Sequence, residues 1–468
     1  MNTQQQDDRD SYRLIITRRD GSELLCLSDG PYYLLPSVDI PRWERVAEPI
    51  RDAVKANLNL DAYSLFTCPR EPSTSETSRT LFQLMECVRP DGPLPPKASW
   101  VPFASLTIAS FRDAEDSRRI CNALRSLSHH DESRSEGPFS KPGWLREMCR
   151  WVAQQIEPLK IRLTGNFRQL NASGSFSLIR FETTGPAVWF KAVGNPNSHE
   201  FNITSILATL FPAYLPPTVA VRPDWNAWLT TEVEGTSPDA DSNFSTWRTI
   251  AVRLAELQTA SHHEVPRLIS AGCRDIRVSS LLNSTDEFFV VMDKLMKQQV
   301  KTPPSILTSE ELFSLNKRIK ETLRLLAATG LPDALNHLDF NPGNIVVSGD
   351  RCTFIDWAEA AIGHPFFTFQ YMLQHLTRLR LGHSDQHEEL TSAYTSQWER
   401  FVPPSAVSRS LELAPLAAVF GYAVSAGAWR EPETLASPRT AGYFRSLVRR
   451  MKHEADALEN RRLECTRV

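Results

Sequence analysis

The hydrophobic pattern of this chain changes period once along its length, and that change limits the folds open to it. Up to residue 235 short β-type runs dominate, whereas from residue 244 apolar residues recur at helical spacing, as in Trp247, Ile250, Ala251, Leu254 and Leu257. A segment opened by Thr308 and Glu311, a capping box, carries the helical pattern on to Gly330. A strand-rich part followed by a larger helical part predicts a two-lobed α+β enzyme. With 468 residues the chain has length for roughly two to four domains.

Asp131 to Gly143 (DESRSEGPFSKPG) replaces all apolar periodicity with Ser, Gly, Pro and alternating charge, so it is expected to be a linker. Before it, β-type runs at Tyr12 to Thr17, Glu23 to Leu27 and Tyr32 to Leu35 are separated by Asp20-Gly21 and Asp29-Gly30, both hairpin turn signals. Trp43, Val46, Ile50, Val54 and Leu58 follow at steps of three and four, which predicts an amphipathic helix docked on those strands. Ala62 to Thr67 and Leu81 to Val88 complete the set. After the linker, Trp144, Leu145, Met148, Trp151, Val152 and Ile156 line one side of a second helix. Three antiparallel strands are then expected at Asn166 to Leu170, Phe176 to Phe181 and Ala187 to Val193, joined by Asn171 to Ser175 and by Thr183 to Pro186. The expected divisions are residues 1–130, a linker at 131–143, a strand-rich lobe at 144–235 and a mainly helical lobe at 236–468.

Composition excludes several classes. The 52 Lys+Arg against 55 Asp+Glu leave a formal charge of −3, so no global attraction to nucleic acid or an anionic membrane is expected. The eight cysteines are scattered with no CxxC pair, so they read as free thiols, and the polar, acidic start MNTQQQDDRDSYR is unlike a signal peptide. Leu413 to Trp429 is the longest apolar stretch, but Pro415, Tyr422, Ser425 and two glycines interrupt it, so it reads as a buried helix. These features suit a reducing cytoplasm. GxxxxGK[ST], GxGxxG, HExxH and GxSxG are absent, and His129-His130 and His262-His263 lie in polar stretches where solvated rings are expected.

The sharpest signal is Ala334 to Trp357, ALNHLDFNPGNIVVSGDRCTFIDW. His337, Asp339 and Asn344 form H-x-D-x-x-x-x-N; an apolar strand, a Ser-Gly-Asp turn and a second strand then deliver Asp356. A phosphoryl donor carries several negative charges, so such a site needs Mg²⁺, which takes hard oxygen ligands such as a carboxylate and an amide carbonyl. Asn344 and Asp356 supply these, and the turn between them lets two groups twelve residues apart reach one cation. Asp339 is placed to accept the proton of an incoming hydroxyl.

In these residues the chain resembles the aminoglycoside phosphotransferase and choline kinase-like family, a small-molecule branch of the protein-kinase-like fold, over about residues 160 to 445. That family's loop reads roughly H-G-D-x-H-x-x-N, with I-D-W as its metal motif; here Leu338 replaces the Gly, Asn341 stands where His is common, and Thr368 lies near a position often occupied by Asp. The resemblance implies ATP or GTP as donor, Mg²⁺ as cofactor, a small-molecule hydroxyl as acceptor, and Asp339 and His337 as catalytic residues. It implies that Lys191, ending the strand VWFKAV, meets the donor's phosphates and pairs with Glu200; each also has a bland alternative, an edge charge and a helix-start acid. By the same resemblance Ser173, Gly174 and Ser175 present backbone N–H groups to phosphate, and Thr231 and Val233 lie where adenine would bond to backbone.

Residues 12 to 125 look like a small Nudix α/β domain that has lost its chemistry. The stretch matching the family's catalytic helix is Pro49 to Leu60, where Ala53, Ala56 and Asn57 take the glutamate positions and Asn59 that of the glycine. Without those carboxylates the Mg²⁺ needed for pyrophosphate hydrolysis lacks its ligands. The whole chain is thus expected to be a two-lobed kinase-like phosphotransferase preceded by a silent Nudix-like domain. The competing reading is a kinase-like module that binds a nucleotide or metabolite and transfers nothing.

Overall fold

The structure is a computed structural model that describes residues 9–18, 21–42, 44–68, 80–88, 93–128, 139, 141–173, 175–239, 242–379 and 384–465. Trp43, Asp20, Gly174, the His129-His130 pair and most of the expected linker fall outside these residues. Two compact units form, one from residues 1–201 with 217–232, the other from residues 202–216 with 233–468.

The first unit opens with β1 (Arg9–Arg18), β2 (Glu23–Asp29), β3 (Tyr32–Leu34), β4 (Ser37–Pro41), α1 (Ala47–Leu58), β5 (Ala62–Thr67), β6 (Thr80–Cys87), β7 (Ala98–Pro102) and α2 (Ala114–Ser128). Its sheet has the order β3-β2-β1-β6-β5, with β4 also on β1 and β7 on β2. The central strand β1 runs parallel to β6 and buries Leu14, Ile15 and Ile16 in succession, as a strand covered on both faces must. Ile15 belongs to one core, while Leu14 and Ile16 belong to another with Ile50, Val54 and Leu58 of α1. The helix starts at Ala47, later than the apolar spacing predicts, because Val46 is its cap residue. It ends where Asn59 turns left-handed at φ 53° and donates its N–H to Lys55 O.

Next come α3 (Trp144–Ile156), β8 (Leu163–Ser173), β9 (Phe176–Thr183), β10 (Val188–Val193), the first residues of α4 (His199–Leu210), β11 (Thr218–Arg222) and β12 (Ala227–Thr231). Their antiparallel sheet has the order β11-β12-β10-β9-β8. β11 and β12 escape the sequence reading. The expected loop at Asn171 to Ser175 is largely strand instead: Asn171, Ala172 and Ser173 pair with Leu178, Ser177 and Phe176 after a bulge beyond Gln169. The bulge absorbs one residue and lets pairing run almost to the tip. One apolar core takes Ile15, Leu65 and Phe82 from the first sheet, Trp144, Met148 and Val152 from α3, and Phe181, Phe190 and Leu229 from the second sheet. The sheet before the expected linker and the sheet after it therefore share a core inside one unit.

The second unit takes the rest of α4 and then α5 (Phe244–Ser261), α6 (Val265–Ser270), β13 (Arg274–Ile276), α7 (Val278–Lys297), α8 (Ser309–Ala328), β14 (Ala334–His337), β15 (Ile345–Ser348), β16 (Arg351–Phe354) and β17 (Ala360–Gly363). It closes with α9 (Phe366–Leu379), α10 (Ser384–Thr395), α11 (Pro404–Ser425), α12 (Pro432–Leu435) and α13 (Pro438–Cys465). The expected capping box is formed by Thr308 and Glu311 at the start of α8. β14 pairs antiparallel with β17, β13 lies parallel on the other side of β17, and β15 and β16 form a hairpin. The apolar stretch from Leu413 is mostly the buried part of α11. Among the described residues no helix is long and apolar enough to cross a membrane.

Candidate functional site

Within the first unit, strand alternation sends Phe190 and Lys191 of β10 to opposite faces. Phe190 packs edge-on against Trp144 and Trp151 of α3. On the other face Lys191 Nζ lies 2.5 Å from Glu200 Oε1, and 5.4 and 5.6 Å from the ring centres of Phe176 and Trp228. Glu200 is only 1% exposed, so the pair is held away from water, where removing either partner costs about 3–5 kcal/mol. This is the partnership expected of the two residues.

The other first-unit expectations fare less evenly. Ser175 donates its N–H to Ser173 Oγ at 3.3 Å, and Gly194 donates to Ser175 O at 2.6 Å, so the Ser175 N–H is already engaged. Gly174 lies outside the described residues. Thr231 donates its N–H to Pro217 O at 3.0 Å within the sheet, which removes that donor from the expected nucleotide edge. Val233 begins the second unit.

Within the second unit the loop after β14 gathers the motif residues. Asp339 accepts from two side-chain amides, Asn341 Nδ2 on Oδ1 at 2.8 Å and Asn344 Nδ2 on Oδ2 at 3.0 Å. Asn341 in turn accepts the N–H of Gly343 at 3.0 Å. Where the resembling family often carries His, this chain thus has a residue that fixes the carboxylate from one side and the loop from the other. Ile345 pairs with Phe354, and Ile355 donates its N–H to Asn344 O at 3.0 Å, so the hairpin brings Asn344 back to the start of Asp356. Asp356 is left-handed, φ 64° and ψ 66°, a conformation that costs an L-residue and concentrates at functional positions.

His337 is 1% exposed; its Nε2 donates to Ile355 O at 2.9 Å, and its ring lies 4.7 Å from that of Trp357. A carbonyl only accepts, so this bond fixes the proton on Nε2. This bond makes His337 a brace between the loop and the hairpin. Thr368 of α9 is fully buried; it accepts the N–H of His337 at 2.9 Å and donates to Asn336 Oδ1 at 2.9 Å. Asn336 donates to Ala334 O and Gly363 O. Asn336 and Thr368 together hold the loop's base without a carboxylate.

Glu359, which the sequence reading missed, faces the same loop. Its carboxyl is raised chiefly by burial and further by Asp339 and Asp356, with Arg274 opposing. Burial also raises the hydroxyls of Tyr371, Tyr422 and Tyr443, with Glu359 adding to each. Three acids thus concentrate negative charge at one place, and a carboxylate with an amide oxygen is a donor set suited to a hard divalent cation. Among the described residues no group of three or more His, Cys, Asp and Glu gathers to hold a metal. The rings of His262 and His263 lie 3.5 Å apart, tilted by 44°, with His262 edge-on to Phe401.

A glycine ties the preceding segment to the hairpin. Thr236 and Val347 exchange backbone hydrogen bonds of 3.1 and 2.9 Å, and a Cβ on Gly235, at φ +138°, would lie 2.4 Å from Val347 O. Only glycine permits that approach.

Residues 227–404, less than half of the chain, match the model of the phosphotransferase enzyme family. No curated protein matches the chain in sequence. Among solved structures it is similar to a macrolide 2'-phosphotransferase of Brachybacterium faecium, with 16% identity, 62% of this chain and 97% of that one covered, and a TM-score of 0.40. It is similar to a choline kinase of Streptococcus pneumoniae, with 14% identity, coverage of 65% and 99%, and a TM-score of 0.43. It is also similar to an ethanolamine kinase of Plasmodium vivax, with 12% identity, coverage of 70% and 92%, and a TM-score of 0.46.

Proposed function

We propose that this chain is an ATP- and Mg²⁺-dependent phosphotransferase that moves the γ-phosphate to a hydroxyl of a small molecule. One observation carries the reading: Asp339 is locked by two amides, while the hairpin returns the chain from Asn344 to Asp356. The family match over residues 227–404 supports the reaction class. In this reading Asn344, whose Nδ2 is spent on Asp339, offers its Oδ1 to the cation together with Asp356. A bound Mg²⁺ supplies charge neutralisation on the donor phosphates. Asp339 accepts the acceptor's proton as its oxygen forms the new P–O bond and the bond to the β-phosphate breaks, releasing ADP. Lys191, oriented by Glu200, meets the donor phosphates, and His337 positions the loop.

Residues 1–130 serve in this reading as a Nudix-like domain without hydrolase chemistry. Its support is α1, where Ala53, Ala56 and Asn57 offer no carboxylate and Glu48 is taken up by Arg168.

The test contrasts two nearly isosteric variants. Asp339→Asn should keep Mg·ATP affinity by calorimetry while acceptor-dependent turnover of labelled ATP falls ~10²–10⁴-fold. Asp356→Asn should lose Mg·ATP binding. Unchanged affinity in Asp356→Asn sinks the metal assignment. Binding without turnover on any hydroxyl acceptor of a metabolite pool makes the chain a silent binding module.

A further inference from the structure

The first unit holds two edge strands that meet without forming a ladder. β5 ends the first sheet and β8 ends the second. Gln169 of β8, 1% exposed, bridges them as a backbone would: its Nε2 donates to Ser64 O and its Oε1 accepts Ser64 N–H, both at 2.8 Å. The two residues before it are held as well. Arg168 meets Glu48 of α1 through two hydrogen bonds of 2.6 and 3.1 Å. Arg51 of α1 donates to Phe167 O and lies 4.3 Å over the Phe167 ring. Three successive residues of one strand are thus gripped by side chains contributed from α1 and β5 or reaching to them, more than a tether between two modules requires.

The grip ends where the hairpin tip begins. Directly after Gln169 comes the bulge, then Asn171, Ala172 and Ser173 pair with β9 up to the turn, and Ser175 bonds to Gly194 beyond the strand that carries Lys191. An edge strand held at residues 167–169 restricts the swing of the tip a few residues on.

We infer that α1 and β5 act as a clamp that positions the β8–β9 hairpin and so sets affinity for the nucleotide; Glu48, Arg51, Arg168 and Gln169 are its positioning residues. The inference rests on the phosphotransferase reading, since that reading puts the donor phosphates at Lys191, whose strand β10 pairs with β9 of this hairpin. The clamp gives residues 1–130 a role that needs no chemistry of their own, and it predicts that these residues act on nucleotide binding and leave the proton-transfer step alone.

The charge pair Glu48–Arg168 is exposed enough to reverse without disturbing the core. In the full chain, E48R and R168E should each speed amide exchange across residues 170–177 in the nucleotide-free protein and weaken Mg·ATP binding about threefold to fivefold, the scale of a well-made surface pair. The double variant E48R/R168E should restore both readouts, which a loss of packing would not do. Unchanged exchange at 170–177, or unchanged Mg·ATP affinity in variants whose parent binds it, overturns the clamp. Absence of Mg·ATP binding in the unaltered chain overturns the phosphotransferase reading itself and takes the clamp's role with it.

Discussion

His364, buried in the turn before α9, is held neutral by its surroundings: burial pushes its imidazole down to about 3, and its Nδ1 accepts the N–H of Phe366 at 3.2 Å. In the unfolded chain the ring takes a proton near pH ~6.5. Between those two values the unfolded state binds more protons than the folded one, so stability is fully present above about pH 6.5 and is lost as pH falls toward 3. This group alone contributes a slope approaching ~1.4 kcal/mol per pH unit in that window. In His364→Asn, which keeps an acceptor, urea unfolding measured across pH 4–6 should show a shallower slope than the parent; equal slopes would refute the assignment. Other single residues separate by how local their partners are. That Asn344 and Asp356 end up close was legible because their spacing is one a single hairpin can close. Gln169 was not, because its partner Ser64 lies 105 positions away and nothing in either sequence neighbourhood marks the pairing.

Among elements, β14 and α9 are joined through Thr368, by its hydroxyl and by its N–H to Asn336 Oδ1 at 3.1 Å. Thr368 takes the N–H of His337 and gives its proton to Asn336, so a threonine and an asparagine do the bracing that the resembling family often assigns to Asp. Thr368→Val keeps the shape and removes both hydroxyl bonds; Asn336 Oδ1 still accepts the residue-368 N–H at 3.1 Å, but the buried His337 N–H loses its acceptor, at a cost of about 1–3 kcal/mol. A drop in unfolding free energy on that scale, with turnover falling further than Mg·ATP affinity, is expected by denaturation and calorimetry; wild-type stability would show that the brace lies elsewhere. The strand-turn-strand around Gly349 was readable from β-type runs and a turn signal, as were α3, α5 and α8 from their periodicity. β11 and β12 were not, because each is a run of only five residues, and Trp225 between them is buried against Trp144, Trp151 and Phe190. The hairpin tip was misread for a related reason: Asn and Ser favour turns locally, but pairing with β9 overrides that preference.

At the scale of the whole molecule the chain passes between its two units three times, after residues 201, 216 and 232. Neither unit is one continuous stretch, which no composition shift along the sequence announces. The linker-like composition of 131–143 points to a separation, yet the sheets on either side of it share buried residues, and Glu86 of the first sheet accepts both the Tyr63 hydroxyl at 2.8 Å and the Gly143 N–H. That shared core also has a consequence for the order in which the protein is made. The face of β1 bearing Leu14 and Ile16 is covered by residues no later than Trp100, so it can close early on the ribosome. The face bearing Ile15 needs partners as late as Leu229. At ~5–20 residues per second, translation from Ala123 to Leu229 leaves that face open for roughly 5–20 s, a window in which a nascent-chain chaperone has apolar surface to hold. Ribosome-stalled chains ending before residue 217 should therefore be cleaved by added protease within the first sheet, while the released full-length chain resists; equal resistance would mean that the first sheet closes without its later partners.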